Sequence, residues 1–236
     1  MKPIRILIGC EESQEITKAF RALGPRFEAY SCDLKPCSGG HPEWHIQGDV
    51  IQALNDGHWD LFIVHPTCTH LSASGALHFA EKRKDGRQRN AIEFFLKMWN
   101  APVRFLCIEN PVGIMSGKRS YLNEHYPDLY EKAKNLPVPQ TIQPYEFGHD
   151  ASKRTCLWFI GKLPCLKKDP AKYVPPRMVD GKPRWANQTD SGQNRLGPSP
   201  GRAAVRARTY TGWAEAMAEQ WGCLMTGNPE ETYKEE

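Results

Sequence analysis

The sequence predicts an α/β protein, a doubly wound parallel sheet covered by helices, with a small, basic, loop-rich lobe near its end. Three observations carry this. Through the first 160 residues, short apolar runs alternate with stretches whose apolar residues recur at helical spacing, the pattern of βαβ units. Residues 163–205 break it, with five prolines and four glycines in positions 175–201. The chain has 236 residues, 40% of them hydrophobic and 25% charged, enough to bury one sizeable core and unlike a disordered or fibrous chain.

The elements follow in order. Residues 4–9 are a short Ile/Leu-rich run bounded by polar residues, read as a buried strand. Ile16, Phe20 and Leu23 give residues 14–23 a helical face. A second strand over 27–32 ends at Asp33, and a loop rich in Pro, Gly and His leads to Gly48-Asp49-Val50. WDLFIV, residues 59–64, is another buried strand. Residues 87–100 form a helix, because Ile92, Phe95, Leu96 and Trp99 fall at i, i+3, i+4 and i+7. A strand over 103–108, a helix over 121–136 and a late strand over 155–160 complete the alternation. After the lobe, Ala214, Met217, Ala218 and Trp221 mark a helix over 213–221, with Thr211-Gly212 as its cap. The expected division is a catalytic domain of 1–162 and 206–224, an insert of 163–205 and an acidic flexible tail of 225–236.

No window approaches the roughly 20 apolar residues of a membrane span, and the first apolar run is too short for a signal-peptide core. The eight cysteines include no C-x-x-C pair, and several lie in apolar runs, where a thiol is a small buried hydrophobe. A reducing cytoplasm is therefore expected. Charge is uneven. Residues 1–150 hold 17 Lys/Arg against 18 Asp/Glu, residues 151–210 hold 13 against 3, and residues 211–236 hold 1 against 6. Such a local excess of cations suits a polyanion or a nucleotide phosphate, and otherwise reads as a solvated surface.

In parallel α/β sheets, ligands bind beyond the carboxyl ends of the strands. Here those ends read Gly9-Cys10-Glu11-Glu12-Ser13, Cys32-Asp33, His65-Pro66-Thr67-Cys68-Thr69-His70 and Glu109-Asn110-Pro111, with Gly48-Asp49 between. An acidic residue ending the second strand suits a ribose diol, as Asp33 would, and Asp49 suits an adenine amino group; each is otherwise a cap or loop carboxylate. The first loop lacks both the dinucleotide G-x-G-x-x-G and the phosphate-binding P-loop pattern, which favours a nucleoside cofactor without a pyrophosphate. Cys68 follows a strand in a polar setting, as a nucleophile or an inert loop thiol. Glu109 ends a buried strand, where a raised pKa and an acid role are expected. Cys32, Cys37, His41 and His45 have near-finger spacing, but Asp33 after Cys32 favours a ribose role over zinc, so no metal is expected. The deaminase pair H-x-E and P-C-x-x-C is missing.

The ordered set resembles cytosine-5 DNA methyltransferases that use S-adenosylmethionine, and more closely the short versions carried by phages and prophages. DLFIVHPTC resembles the strand and loop of the catalytic cysteine. IENP resembles the Glu-Asn pair that holds the target base. FGHDASKRTCLWFIG resembles the segment in which an arginine precedes a strand ending in Gly, and TYTGWAEAMAEQW resembles the terminal cofactor-facing turn and helix. The chain departs from the family at Thr67 and Thr69, where Pro and Gln are usual, in its first loop, and at Ser152-Lys153-Arg154.

The resemblance implies a Rossmann-like methyltransferase fold, S-adenosylmethionine as cofactor and DNA as partner, with restriction-modification and a phage or prophage setting in a bacterial host. It implies covalent catalysis: Cys68 adds to carbon 6 of cytosine, Glu109 protonates ring nitrogen 3, and Arg154 binds the base carbonyl, so that carbon 5 becomes nucleophilic. It places the cofactor on Gly9, Cys10, Glu11, Ser13, Asp33, Leu34, Asp49, Val50, Pro66, Thr211 and Gly212. It places the substrate on Thr67, Thr69, Ser72, Asn110, Pro111, Lys153, Arg195, Arg206 and Arg208. Two other readings stand beside it: the same chemistry on a free cytidine nucleotide, since the insert is small, and a non-catalytic nucleic-acid-binding module on a decayed enzyme fold. A thymidylate-synthase-like enzyme is a remote fourth, disfavoured by Asp33.

Overall fold

A computed structural model describes residues 2–117, 119–197 and 199–227. Chain order runs β1 (Ile4–Gly9), α1 (Glu15–Ala22), β2 (Phe27–Asp33), β3 (His45–Gln47), α2 (Val50–Asp56), β4 (Leu61–Val64), α3 (Phe79–Lys84) and α4 (Arg87–Trp99). It continues with β5 (Phe105–Pro111), α5 (Ser120–His125), α6 (Pro127–Ala133), β6 (Gln140–Ile142), β7 (Thr155–Ile160), β8 (Arg177–Val179), β9 (Lys182–Arg184), α7 (Arg202–Ala207) and α8 (Thr211–Thr226).

Seven strands form one sheet in the order β3-β2-β1-β4-β5-β7-β6. The five from β3 to β5 are parallel, as expected. β7 is not: it runs antiparallel to both β5 and β6. Strand alternation reports which face a residue takes, never which way its strand points, so the reversal had no signature in the apolar pattern.

Both faces are buried. On one, Phe62, Val64, Leu106, Ile108 and Trp158 meet Val50 and Leu54 of α2, Phe95 and Leu96 of α4, and Leu122 and Leu129 of α5 and α6. On the other, Ile6, Ile8, Ile63, Cys107 and Leu157 meet Ile16 and Phe20 of α1 and Trp213, Met217 and Trp221 of α8. Each such side chain contributes roughly 1.5–3 kcal/mol by leaving water. Gly9 ends β1 under α2, where a Cβ would stand 2.5 Å from Val50 Cγ2 and 2.9 Å from Phe62 Cε2.

Several elements differ from expectation. The helix over 121–136 is two, because Pro127 has no N–H and moves Tyr126 to φ −145°, ψ 63°. Trp59 lies before β4, its indole donating to the Ala53 carbonyl at 3.0 Å. The strand expected over 103–108 starts two residues later and runs through Glu109 to Pro111. α8 begins at Thr211 and continues through Met225 and Thr226; tail residues 228–236 lie outside the described residues.

The first residues after β7 belong to the core. Leu163 and Leu166 are buried against α8, and Trp221 donates to the Pro164 carbonyl at 3.0 Å. The rest of the 163–205 stretch holds the β8–β9 hairpin, closed by Asp180-Gly181 with φ of 48° and 72°, a turn whose twist suits two antiparallel strands. It is tied to the segment before β7. Trp185 stacks on Tyr145 at 4.0 Å, Ala186 N–H donates to Asp150 at 2.8 Å, and the Asn187 amide exchanges hydrogen bonds with both backbone groups of Ser152.

Candidate active site

The carboxyl ends of β4 and β5 build the centre. His65 follows β4 directly, its N–H donating to the Gly9 carbonyl at 3.0 Å. Glu109 and Asn110 are the penultimate pair of β5, both buried. Asn110 Nδ2 donates to the Pro66 carbonyl at 2.7 Å, which fixes the β4 loop across the strand boundary. The chain then turns through Cys68–His70, with Leu71 and Ser72 N–H groups donating to the Cys68 carbonyl at 3.0 and 2.9 Å. Lys82 of α3 holds the Thr69 carbonyl at 2.7 Å, and Ser72 bridges to Gly113. Thr67 and Thr69 are exposed.

His65 Nδ1 lies 2.8 Å from Glu109 Oε2, with both side chains nearly buried. His65 Nε2 is buried without a hydrogen-bond partner, and so is Glu109 Oε1; the Thr155 hydroxyl lies near the Glu109 carboxyl but donates to the Lys153 carbonyl at 3.1 Å. Leaving such an atom unpaired costs about 1–3 kcal/mol, and here both members of one bonded pair carry one. Burial pushes the Glu109 pKa up, but the His65 hydrogen bond and the Lys153 charge outweigh it, and the net direction is down. This corrects the expectation of a raised value: the buried carboxyl has a partner, and a partnered carboxylate stays ionised.

Cys68 is half-buried and shares this neighbourhood. Burial and the Glu109 charge raise its pKa, while Lys153 and Arg206 act the other way. Lys153 extends over the face of Trp213, 5.9 Å from the ring centroid. Arg154 is not part of the cluster. It is exposed, and its charge is felt by Cys156 and Tyr145. Alternation explains this: Lys153 shares the face of Thr155 and Leu157, towards Glu109, while Arg154 shares the face of Cys156 and Trp158. Because β7 is reversed, the residues before it stand at the same rim as those after β4 and β5.

A second group of expected residues gathers at the ends of β1 and β2. Cys10 has φ 58° and Gln14 φ 59°, so the first loop is held between two left-handed residues. Burial, with Asp33, Cys32 and Asp49 around it, pushes the Cys10 thiol up to about 12. Asp33 Oδ1 accepts from Lys35 N–H at 2.9 Å, and Asp49 Oδ1 caps α2 through Ile51 N–H at 2.7 Å. Each has a second carboxylate oxygen free to accept, and this acceptor pair fits the ribose diol and the amino group of the nucleoside part of S-adenosylmethionine. Leu34 is exposed, and Val50 is buried against Gly9.

Other residues of the expected cofactor set are engaged elsewhere. Glu11 is buried, one oxygen accepting from Ile16 N–H at 2.7 Å and the other from the Thr17 hydroxyl at 2.8 Å, so it closes the first turn of α1. Ser13 is buried beneath Gly39. Thr211 and Gly212 are the first residues of α8, preceded by Tyr210 at the cap. Their donors meet the His149 ring: Gly212 N–H donates to Nε2 at 2.9 Å. A Cβ at Gly212 would stand 1.8 Å from the Phe147 carbonyl oxygen. Among the expected substrate residues, Pro111 ends β5. Arg195 lies in the lobe, donating to the Gln188 carbonyl, and Arg208 pairs with Glu15 at 2.5 Å. His45, weighed as a zinc ligand, has both ring nitrogens bonded, to the Ser31 hydroxyl and the Lys35 carbonyl.

His65 is the residue that sequence reasoning passed over. Its signal was its place, the first residue beyond a buried strand and three before the candidate nucleophile.

No family model matches the chain, and no curated protein sequence matches it. Solved structures do. The S. pombe Dnmt2 methyltransferase is 14% identical with a TM-score of 0.43, over 68% of this chain and 50% of that one. The Entamoeba histolytica methyltransferase EhMeth is 12% identical with a TM-score of 0.44, over 72% and 56%. A DNA modification methyltransferase described as encoded within an E. coli prophage is 14% identical with a TM-score of 0.43, over 66% and 46%. The chain thus spans about half the length of the structures it matches. The mixed α/β architecture with its seven-stranded, mostly parallel sheet agrees with the doubly wound α/β fold expected from the sequence.

Proposed function

We propose that this chain transfers a methyl group from S-adenosylmethionine to carbon 5 of cytosine in DNA, through a covalent adduct on Cys68. The observation that carries the reading is the placing of a half-buried thiol, a buried carboxylate with one unpartnered oxygen and a lysine in one neighbourhood at the carboxyl rim of the sheet. Glu109 meets the nitrogen 3 edge of the cytosine with the one oxygen that His65 leaves free. Cys68 Sγ bonds to carbon 6, and the negative charge entering the ring is met by a proton at nitrogen 3 and by the Lys153 ammonium. Lys153 takes the role that the family resemblance gave to Arg154. Asn110 and Pro66 keep the thiol loop at fixed distance from Glu109.

Asp33, Asp49 and the turn at Cys10 would hold the cofactor. When bound, S-adenosylmethionine supplies an electrophilic methyl group on a sulfonium. Exposed cations of the lobe and α7, among them Lys182, Arg195 and Arg206, are in no ion pair among the described residues and would grip phosphates. In a duplex the cytosine must leave the stack, at a cost of a few kcal/mol.

The test is trapping. DNA containing 5-fluorocytosine, incubated with S-adenosylmethionine, should form an adduct with the intact chain that survives denaturation, and Cys68→Ala should form none and lose all methyl transfer. A Cys68→Ala variant that still methylates would remove the thiol from the mechanism. Labelled methyl appearing only in free cytidine nucleotide would move the substrate to that class.

A further inference from the structure

The proton needed at ring nitrogen 3 has no obvious source if Glu109 rests as a carboxylate, and the residue that keeps it so is His65. The ring is gripped on one side only: Nδ1 faces Glu109 Oε2 at 2.8 Å, and Nε2 is buried with no partner. Backbone pins the residue, since its N–H donates to the Gly9 carbonyl at 3.0 Å and Pro66 follows with its own carbonyl held by Asn110. The titratable groups around the pair are Glu11 from the loop before α1, Lys153 from the segment before β7, Cys68 from the loop after β4, Cys107 of β5 and Cys156 of β7, with Arg206 of α7 facing Cys68.

We propose that His65 is a positioning residue for Glu109: by donating Nδ1–H to Oε2 it leaves Oε1 as the one free oxygen of a carboxylate that takes the Cys68 thiol proton and hands it to the pyrimidine ring. The inference rests on the reading of this site as one that adds a thiol to cytosine. In the step, the Sγ–H bond breaks and its proton passes to Oε1. The sulfur electron pair forms the Sγ–C6 bond, ring electrons move to nitrogen 3, and the Oε1 proton is delivered there. His65 keeps its Nδ1 proton throughout, so atoms and charge balance between thiol, carboxylate and ring. The geometry suits the task, because Asn110, next to Glu109 in β5, ties that strand to the loop that carries the thiol.

Three variants test it. An asparagine amide can take the place of Nδ1–H, so His65→Asn should preserve the bond to Oε2; His65→Gln puts its amide further out and His65→Ala removes it. Carbon-13 spectra of the glutamate carboxyls, with Glu109 assigned by its loss in Glu109→Gln, should show Glu109 titrating below the ordinary range in the unaltered chain. It should move up in His65→Ala and His65→Gln and return in His65→Asn. In methyl transfer to DNA, His65→Ala should lose roughly 100-fold in kcat with KM little changed, the scale of one proton-transfer contribution. Its acidic limb should move to higher pH, since the free carboxylate must be ionised to accept the thiol proton, and His65→Asn should restore both. An unmoved Glu109 titration in folded His65→Ala, or no rescue by His65→Asn, would overturn the role. If the titration moves as stated while the unaltered chain methylates neither DNA nor nucleotide, the pairing stands and the methylation reading falls.

Discussion

Cys68 sits between one carboxylate and two cations, and the balance sets its reactivity. Burial and Glu109 raise its pKa, and Lys153 and Arg206 oppose them. The thiolate is the reactive form. Alkylation of Cys68 by iodoacetamide at neutral pH should therefore speed up in Glu109→Gln, where a repelling charge is gone, and slow down in Lys153→Met. Arg154→Met should leave it unchanged, and mass spectrometry of the labelled peptide reads all three. The sequence placed Cys68, Glu109 and Asn110 at or just beyond the ends of buried apolar runs, and the structure puts them at the same rim of the sheet. That Lys153 and not Arg154 lies towards Glu109 was not legible, since it depends on which face of the sheet each takes, and two adjacent cations look alike in one dimension. His65 was hidden for another reason: its meaning lies in a partner 44 residues away.

Elements show the same division. The long amphipathic helices were readable, with Ile92, Phe95 and Leu96 of α4 and Ala214, Met217, Ala218 and Trp221 of α8 all buried. β3 and β6 have three residues each and no period to detect. The β8–β9 hairpin did carry a signal, Asp180-Gly181, that the proline-rich setting obscured. α8 has a cap that no local motif announces, the His149 ring accepting from Gly212 N–H. Burial lowers the His149 pKa. Its folded value thus lies below its unfolded value, so as pH falls through the unfolded value, near 6.5, the unfolded chain takes up a proton that the folded one resists. Stability should fall between about pH 7 and 5. A melting temperature measured across that range should drop for the unaltered chain and drop less for His149→Gln, whose amide oxygen can accept without titrating. Equal slopes would show that His149 is not the group responsible.

At the scale of the molecule, residues 1–150 are nearly neutral and the cations concentrate in residues 151–210. Among the described residues no helix is long and apolar enough to cross a membrane. If the lobe grips a polymer, binding releases many counterions, so affinity for duplex DNA should fall more than about 100-fold between 50 and 200 mM salt. Affinity for a cytidine nucleotide would fall far less. Fluorescence anisotropy at four salt concentrations decides between them, and a shallow slope for DNA would point to the nucleotide.

The Asn187 amide has a consequence of its own. By exchanging hydrogen bonds with both backbone groups of Ser152, it mimics a neighbouring strand for one residue, the one immediately before Lys153. The ammonium beside the thiol is thereby mechanically indexed to the arm that carries the cations. Under the proposed function, a duplex seated on that arm would pull on Lys153 through a single peptide unit.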